Sequence, residues 1–309
     1  MTECERLVAN GTFSPDFFKP EIRCGFEVTE KRKKIWAVEI DLLRQFDFVC
    51  KKHDIKYFLL FGSLLGAIRH KGFVPWDDDV DVGMLRPEYD RFMSLAAEFE
   101  TPYFFQTPIT DFGHGYSHIQ LRNSYTTAAA SQFRYQGFNL GIFIDILAID
   151  EFDDGVEGEL VFNRINRMQM DNSTWMRSTN PELCEKDKLR VQEYLSRKRD
   201  PISDYHEIEK LSKTFNGQGL KHMCVTSTTT YGFRRDIFSA DDFMDVECFD
   251  FEGFKFSVPS RWDNVLKVTY GDYRQLPPIE QRGRWHNTIE FDPDTPYTEY
   301  LKVRNRSDQ

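Results

Sequence analysis

Residues 57–84 constrain this chain more than any other stretch: YFLLFGSLLGAIRHKGFVPWDDDVDVGM. The apolar run at 57–61 predicts a buried strand, and Gly62-Ser63 a turn into a short helix. Gly72, Pro75 and Trp76 mark a loop that leads to a second strand. Side chains alternate along a strand, so Asp79 and Asp81 share one face while Val80 and Val82 enter the core. Two carboxylates held side by side repel each other. A divalent cation such as Mg²⁺ or Mn²⁺ relieves that repulsion, because it takes oxygen ligands and leaves positions for substrate phosphates. Gly62 lets the backbone approach a phosphate, and the helix that follows offers free N–H groups at its positive dipole end. Gly62 and Ser63 therefore read as a phosphate cradle, with Arg69 and Lys71 near enough in sequence to neutralise its charge. The stretch predicts a phosphate-plus-metal site with Asp79 and Asp81 as metal ligands.

Two plainer readings compete. Asp77-Asp78-Asp79 alone would pass for a solvated acidic loop, but the apolar residues at 80, 82 and 84 argue against it. Asp77, Asp79, Asp81 and Glu88 also fall where an EF-hand loop places calcium ligands. That loop needs Gly at its sharp turn, where this chain has Val82, and a Gly/Pro loop precedes it instead of a helix.

Composition excludes several classes. With 309 residues, 40% hydrophobic and 15% aromatic, the chain has ample material for a buried core and is not globally disordered. A net charge of −10 disfavours nucleic acid and broad contact with anionic membrane. Cys4, Cys24, Cys50, Cys184, Cys224 and Cys248 form no CxxC pair, so free thiols in a reducing compartment are expected. The N-terminus lacks an apolar stretch of signal-peptide length, and the longest apolar run is too short to span a bilayer. A cytoplasmic protein without a transmembrane segment is expected.

Along the chain, residues 1–27 read as irregular. Residues 29–52 carry Ile35, Val38, Leu42, Phe46 and Val49 at helical spacing, and 87–99 predict another amphipathic helix. Strand-like segments follow at 103–107, 116–121 and 126–130. His114 and His118 would suit zinc on a helix, but Gly113 and Gly115 argue against one there. Residues 141–150, GIFIDILAID, read as a buried central strand. Asp145 inside it needs a cation or a donor as partner, and Asp150 reads as a cap. Residues 151–225 are polar and mainly helical. Residues 249–278 predict a hairpin, a proline-led turn and a helix ending at Tyr270-Gly271. Trp262, Tyr270 and Tyr273 offer rings that could enclose a quaternary ammonium.

The spacing of Gly62-Ser63 ahead of Asp79-Val80-Asp81-Val82 resembles the nucleotidyltransferase-superfamily signature. The string GSLLGAIRHKGFVPWDDDVDV closely resembles the LicD family, which includes bacterial phosphocholine transferases and, more distantly, fukutin-type ribitol-phosphate transferases. Residues 141–150 resemble that family's IDIFPLD element, with Ala148 in place of its Pro. The resemblance implies that Asp145 is the third metal carboxylate beside Asp79 and Asp81. It also places Arg122, within HIQLRNSYTTA, where relatives carry a basic residue on a core strand, a position for a phosphate contact or, more plainly, a surface salt bridge. The closing FEG…VP…YGDY…PP pattern and the segment 281–287 are similar to the family too, and Arg282, Arg284 and His286 there would clamp a diphosphate.

The implied fold is α/β (α+β), a nucleotidyltransferase-type mixed β-sheet flanked by helices, with helical and C-terminal additions. A single domain at 28–290 is expected, with its core at about 40–150 and peripheral tails at 1–27 and 291–309. The implied activity is metal-dependent transfer of a phospho-alcohol, foremost phosphocholine from CDP-choline, to a hydroxyl of a glycan or glycoconjugate, with release of CMP. A carboxylate of the cluster would accept the hydroxyl proton. Two other readings stand beside it: a nucleotidyltransferase that moves NMP from an NTP, and a non-catalytic nucleotide-binding protein.

Overall fold

A computed structural model describes residues 1–130, 137–178, 183–197, 200–228, 231–283 and 289–307. Helix α1 (Glu3–Ala9), the hairpin β1 (Glu21–Arg23) and β2 (Phe26–Val28), and helix α2 (Glu30–Lys52) open the chain. Thr29 starts α2 by accepting the Arg32 N–H. Trp36, Val38, Leu42, Leu43 and Phe46 are fully buried on it. Each such side chain contributes about 1.5–3 kcal/mol on leaving water, which holds a helix of only moderate propensity. Residues 1–27, expected to be irregular, contain α1, whose Thr2 and Glu5 form a capping box. Leu7 is fully buried, and Arg6 binds Asp41 of α2 at 2.7 Å.

Next come β3 (Phe58–Leu59), α3 (Phe61–His70), β4 (Asp81–Leu85), α4 (Arg86–Met93), β5 (Tyr103–Gln106), β6 (Ile119–Asn123), β7 (Thr127–Ala130) and β8 (Ile142–Glu151). Strand β8 is the middle of the main sheet. It runs parallel to β4 along one edge and antiparallel to β6 along the other. Ile142, Ile144 and Ile146 face the core, where α2 packs, while Phe143 and Asp145 face the opposite side. Strand β3 extends the sheet beyond β4, and β5 extends it beyond β6.

Helices α5 (Val156–Met176), α6 (Glu185–Ser196) and α7 (Pro201–Ser212) form the predicted helical stretch. Strand β9 (His222–Val225) then joins the far end of β8, and β10 (Ile237–Ser239) pairs with β9. The expected hairpin is β11 (Val246–Phe251) with β12 (Phe254–Pro259), and α8 (Trp262–Tyr270) stops at Gly271, whose φ of +68° suits glycine. Strand β13 (Ile289–Asp292) pairs with β7, and α9 (Tyr297–Ser307) closes the described chain. The architecture is thus the expected mixed α/β one. Among the described residues, no helix is long and apolar enough to cross a membrane.

Candidate active site

The register of the sheet builds the site. Asp81 of β4 lies directly opposite Asp145 of β8, Asp145 opposite Gln120 of β6, and Gln120 opposite Gln106 of β5. Opposed residues in a sheet project to the same face, so these four form one polar row across the strands. Val80 and Val82 are fully buried on the other face, as their alternation with Asp79 and Asp81 predicts. The pairing begins before β4, because the Asp145 N–H donates to the Val80 carbonyl at 2.8 Å. Asp79 therefore precedes Asp81 on an already ordered backbone.

The turn into α3 supports the same row. Ser63 is buried, and its Oγ accepts the Asp81 N–H at 2.9 Å, which ties the start of α3 to the first carboxylate strand. A Cβ on Gly62 would overlap Asp77 Oδ2, so the close approach that glycine permits is taken up here by a carboxylate. Phe61 sits at φ +44°, a left-handed conformation that costs a non-glycine residue about 1–2 kcal/mol. The acidic loop is clamped onto α2: Arg32 Nη1 and Trp36 Nε1 both donate to the Asp77 carbonyl, at 2.7 and 3.0 Å. Trp36 in turn stacks on Phe73, 4.7 Å between ring centres. Glu39, one turn further along α2, is buried, and its Oε2 has no hydrogen bond. Burial, then Asp78, Asp79 and Asp77, push its carboxyl well above the usual range.

Asp145 is better supplied with donors. Its Oδ1 receives Gln120 Nε2 at 2.6 Å and faces His118 Nε2 at 3.1 Å, and its side chain is 19% exposed. Burial raises its pKa, but His118, Gln120 and Arg122 outweigh that and hold the carboxyl below its ordinary value. Two phenols lie close enough to Asp77 and Asp81 to feel their charge. Tyr231 and Tyr270 meet hydroxyl to hydroxyl at 3.0 Å, and Tyr231 lies against Phe61 with ring centres 5.0 Å apart. Burial pushes the Tyr231 phenol up, with Asp81, Asp79 and Asp77 adding to it. For Tyr270 burial acts first as well, then Tyr231, Asp77 and Asp81.

Residues 54–163 match the protein-family model described as LicD/FKTN/FKRP, nucleotidyltransferase domain. The lipopolysaccharide cholinephosphotransferase LicD of Haemophilus influenzae is 27% identical over 259 residues, which cover 80% of this chain and 92% of that protein. The likeness to LicD proteins thus spans most of the chain and is anchored in residues 54–163. Uncharacterized proteins of Rickettsia typhi and Rickettsia prowazekii are each 41% identical over 49 residues, 16% of this chain and 16% and 18% of theirs. The polar row and the acidic loop lie inside the matched LicD segment, whereas Tyr231 and Tyr270 lie C-terminal to it.

The basic residues expected around the site are placed unequally. Arg122 is buried, with donors on Gln106 Oε1, Gln120 Oε1 and the Gly141 carbonyl, and burial lowers its pKa to about 10. Arg69 and Lys71 sit at the C-terminal end of α3, about 9 and 12 Å along its axis from Ser63. Arg69 donates to His70 Nε2 at 2.8 Å and to the Tyr273 carbonyl at 2.6 Å, while Lys71 is exposed. Arg282 lies over the Trp76 ring at 4.8 Å and binds the Cys24 and Pro277 carbonyls, which places it beside the acidic loop. Arg284 and His286 lie outside the described residues.

Among the aromatic candidates, only Tyr270 stands by the carboxylates. Trp262 packs on Phe249 near the start of α8, and the Tyr273 hydroxyl donates to Asp263. His114 is buried among Tyr116 and Phe138, with both ring nitrogens unbonded. Asp150 is no cap: fully buried, it pairs with Arg86 through two hydrogen bonds of 2.7 and 2.8 Å.

Sequence reasoning weighed His118 only as a zinc ligand, and it missed Gln120 and Tyr231. His118 and Gln120 had a signal in the polar residues at 118, 120 and 122, which alternate with Ile119 and Leu121. Among the described residues no three His, Cys, Asp or Glu side chains close on a common metal position. What does fit a hard cation is the opposed pair Asp81 and Asp145, since Mg²⁺ is commonly held by one or two carboxylates plus substrate phosphates.

Proposed function

We propose that this protein transfers phosphocholine from a CDP-activated donor, CDP-choline, to a hydroxyl of a glycan or glycoconjugate, releasing CMP. The observation that carries the reading is the Asp81–Asp145 pair, opposed in register at the edge of the acidic loop. Similarity to a lipopolysaccharide cholinephosphotransferase along 80% of the chain supports the substrate class. Asp81 and Asp145, with Asp79 beside them, would hold Mg²⁺ or Mn²⁺. When bound, the ion offsets the charge of the donor phosphates and of the departing CMP.

The acceptor oxygen forms a bond to the choline-bearing phosphorus as the P–O bond to CMP breaks. CMP leaves with the bonding electrons, and a carboxylate oxygen of the cluster takes the hydroxyl proton. Gln120 and His118 hold one oxygen of Asp145, so the carboxylate is oriented before substrate arrives. Phe61, Tyr231 and Tyr270 present rings beside the carboxylates, a setting that suits a quaternary ammonium. Arg282, over Trp76 and next to the acidic loop, would be a candidate partner for the donor diphosphate.

A second reading draws on the description of the matched segment as a nucleotidyltransferase domain: transfer of NMP from an NTP, with pyrophosphate released. One assay separates the two. The protein is given CDP-choline, CDP-ribitol, CDP-glycerol or NTPs, each with Mn²⁺ and a lipopolysaccharide acceptor, and CMP and pyrophosphate are measured. CMP from CDP-choline, lost in Asp81→Asn and Asp145→Asn, is the expected result. Pyrophosphate from an NTP would replace the first reading by the second. Tight nucleotide binding without either product would leave a non-catalytic binding protein.

A further inference from the structure

The Asp145 carboxylate is one end of a buried hydrogen-bonded chain that crosses three strands. Arg122 Nε donates to Gln106 Oε1 and Arg122 Nη2 to Gln120 Oε1, while Nη1 is held by the Gly141 carbonyl at 2.6 Å. Gln106 Nε2 then donates to Asp111 Oδ2 at 2.7 Å and to the Asn139 carbonyl at 3.0 Å. Gln120 Nε2 donates to Asp145 Oδ1 at 2.6 Å. Gln106, Gln120 and Arg122 are exposed by 0%, 2% and 3%, so the chain is closed to solvent.

A guanidinium donates and never accepts, whereas an amide has one accepting and one donating end. Both glutamines must therefore turn their oxygens toward Arg122, and Gln120 is left with only its NH₂ to offer Asp145. Phe143, opposite Arg122 in register, lies under the guanidinium at 4.6 Å and keeps it in the plane of the row. Without Arg122 the Gln120 oxygen loses its buried donor, and the amide loses the anchor that holds its NH₂ at a fixed place and angle against Asp145.

We propose that Arg122 and Gln120 are positioning residues that set the orientation of Asp145 for cation binding, Arg122 acting through the Gln120 amide and not by contact with the donor phosphates. The proposal rests on the reading of Asp145 as a metal carboxylate. Partners that orient metal-binding carboxylates typically alter affinity about 10–100-fold when removed.

The test compares wild type with Gln120→Met, which keeps the side-chain length and removes the donor, and with Arg122→Met. Mn²⁺ binding is measured directly, by the loss of the free-ion electron paramagnetic resonance signal, with and without CDP-choline. Folding is checked by urea denaturation. The expected result is a Mn²⁺ dissociation constant raised about 10–100-fold in both variants, with the KM for CDP-choline at saturating Mn²⁺ close to wild type. If Arg122→Met fails to fold, Gln120→Met decides alone. Unchanged Mn²⁺ affinity in folded Gln120→Met overturns the proposal while leaving the metal reading intact. A raised donor KM in Arg122→Met at saturating Mn²⁺ overturns it in favour of direct phosphate contact. A wild type that takes up no Mn²⁺ in either condition removes the metal reading and this proposal with it.

Discussion

Replacing Ser63 by alanine separates two roles that the sequence leaves together. As part of a phosphate cradle, the Ser63 hydroxyl would touch only the donor. The structure gives it a second task, because Oγ accepts the Asp81 N–H at 2.9 Å from a buried position. In Ser63→Ala the Asp81 N–H loses that acceptor. Stranding a buried donor costs about 1–3 kcal/mol, and since Asp81 is only half-buried the lower part of that range applies, about 1–2 kcal/mol. Such a loss is a modest share of a typical folding free energy of about 5–15 kcal/mol, so the variant still folds. The assay is urea unfolding followed by tryptophan fluorescence, run beside Mn²⁺ binding on the same preparation. The expected outcome is a stability loss of about 1–2 kcal/mol together with weaker Mn²⁺ binding, because the strand that carries Asp81 has lost its tie to α3. An unfolding free energy within about 0.5 kcal/mol of wild type, with only the KM for CDP-choline raised, would refute the structural role.

Gly62→Ala places a Cβ where Asp77 Oδ2 now lies, so the carboxylate swings away. Far-UV circular dichroism should stay native while turnover falls at least about tenfold, and full activity would show that the Asp77 position is dispensable. Asp150→Ala removes the fully buried two-point partner of Arg86, which keeps Glu209 at 2.8 Å, and should cost about 3 kcal/mol in urea unfolding, the low end for a broken buried pair; a loss below about 1 kcal/mol would refute it. Asp236 is buried, neither of its oxygens makes a hydrogen bond of good geometry, and burial raises its carboxyl to about 7, the amides of Gly232 and Tyr231 offsetting this only in part. A raised acid pKa penalises the folded state as pH climbs from about 4 to 7, because the unfolded chain ionises first. Asp236→Asn should therefore match wild type near pH 4, yet be more stable at pH 8 by at most about 4 kcal/mol. Equal unfolding free energies at pH 8 would refute that.

Much of the fold was legible where local pattern and burial agree. The apolar stripe of 29–52 became α2 within a residue of its expected ends, and the run at 141–150 became the central strand β8. Short segments were less legible. The helix expected at 87–99 stops at Met93, and β9 lies in a stretch read as helical, since its few residues carry no long periodic signal. Helix α1 has a local signal in the Thr2–Glu5 capping-box spacing, but it is only seven residues long and is held by docking of Leu7 and Arg6 onto α2.

By itself the sequence determined which residues share a face. Alternation put Asp79 and Asp81 on one side of a strand and Val80 and Val82 on the other, and it would have done the same for Gln120 and Arg122. Only the tertiary structure decided who stands opposite whom. That Asp81 meets Asp145, that Gln120 rather than a solvent molecule meets Asp145, and that Arg122 turns inward to the glutamines all follow from register between strands far apart in the chain. Register is set by how the core faces of β6 and β8 fit beneath α2 and how β4 fits beside β8, and a one-residue slip would send every polar group of the row into that core. Periodicity along one segment carries no information about that fit.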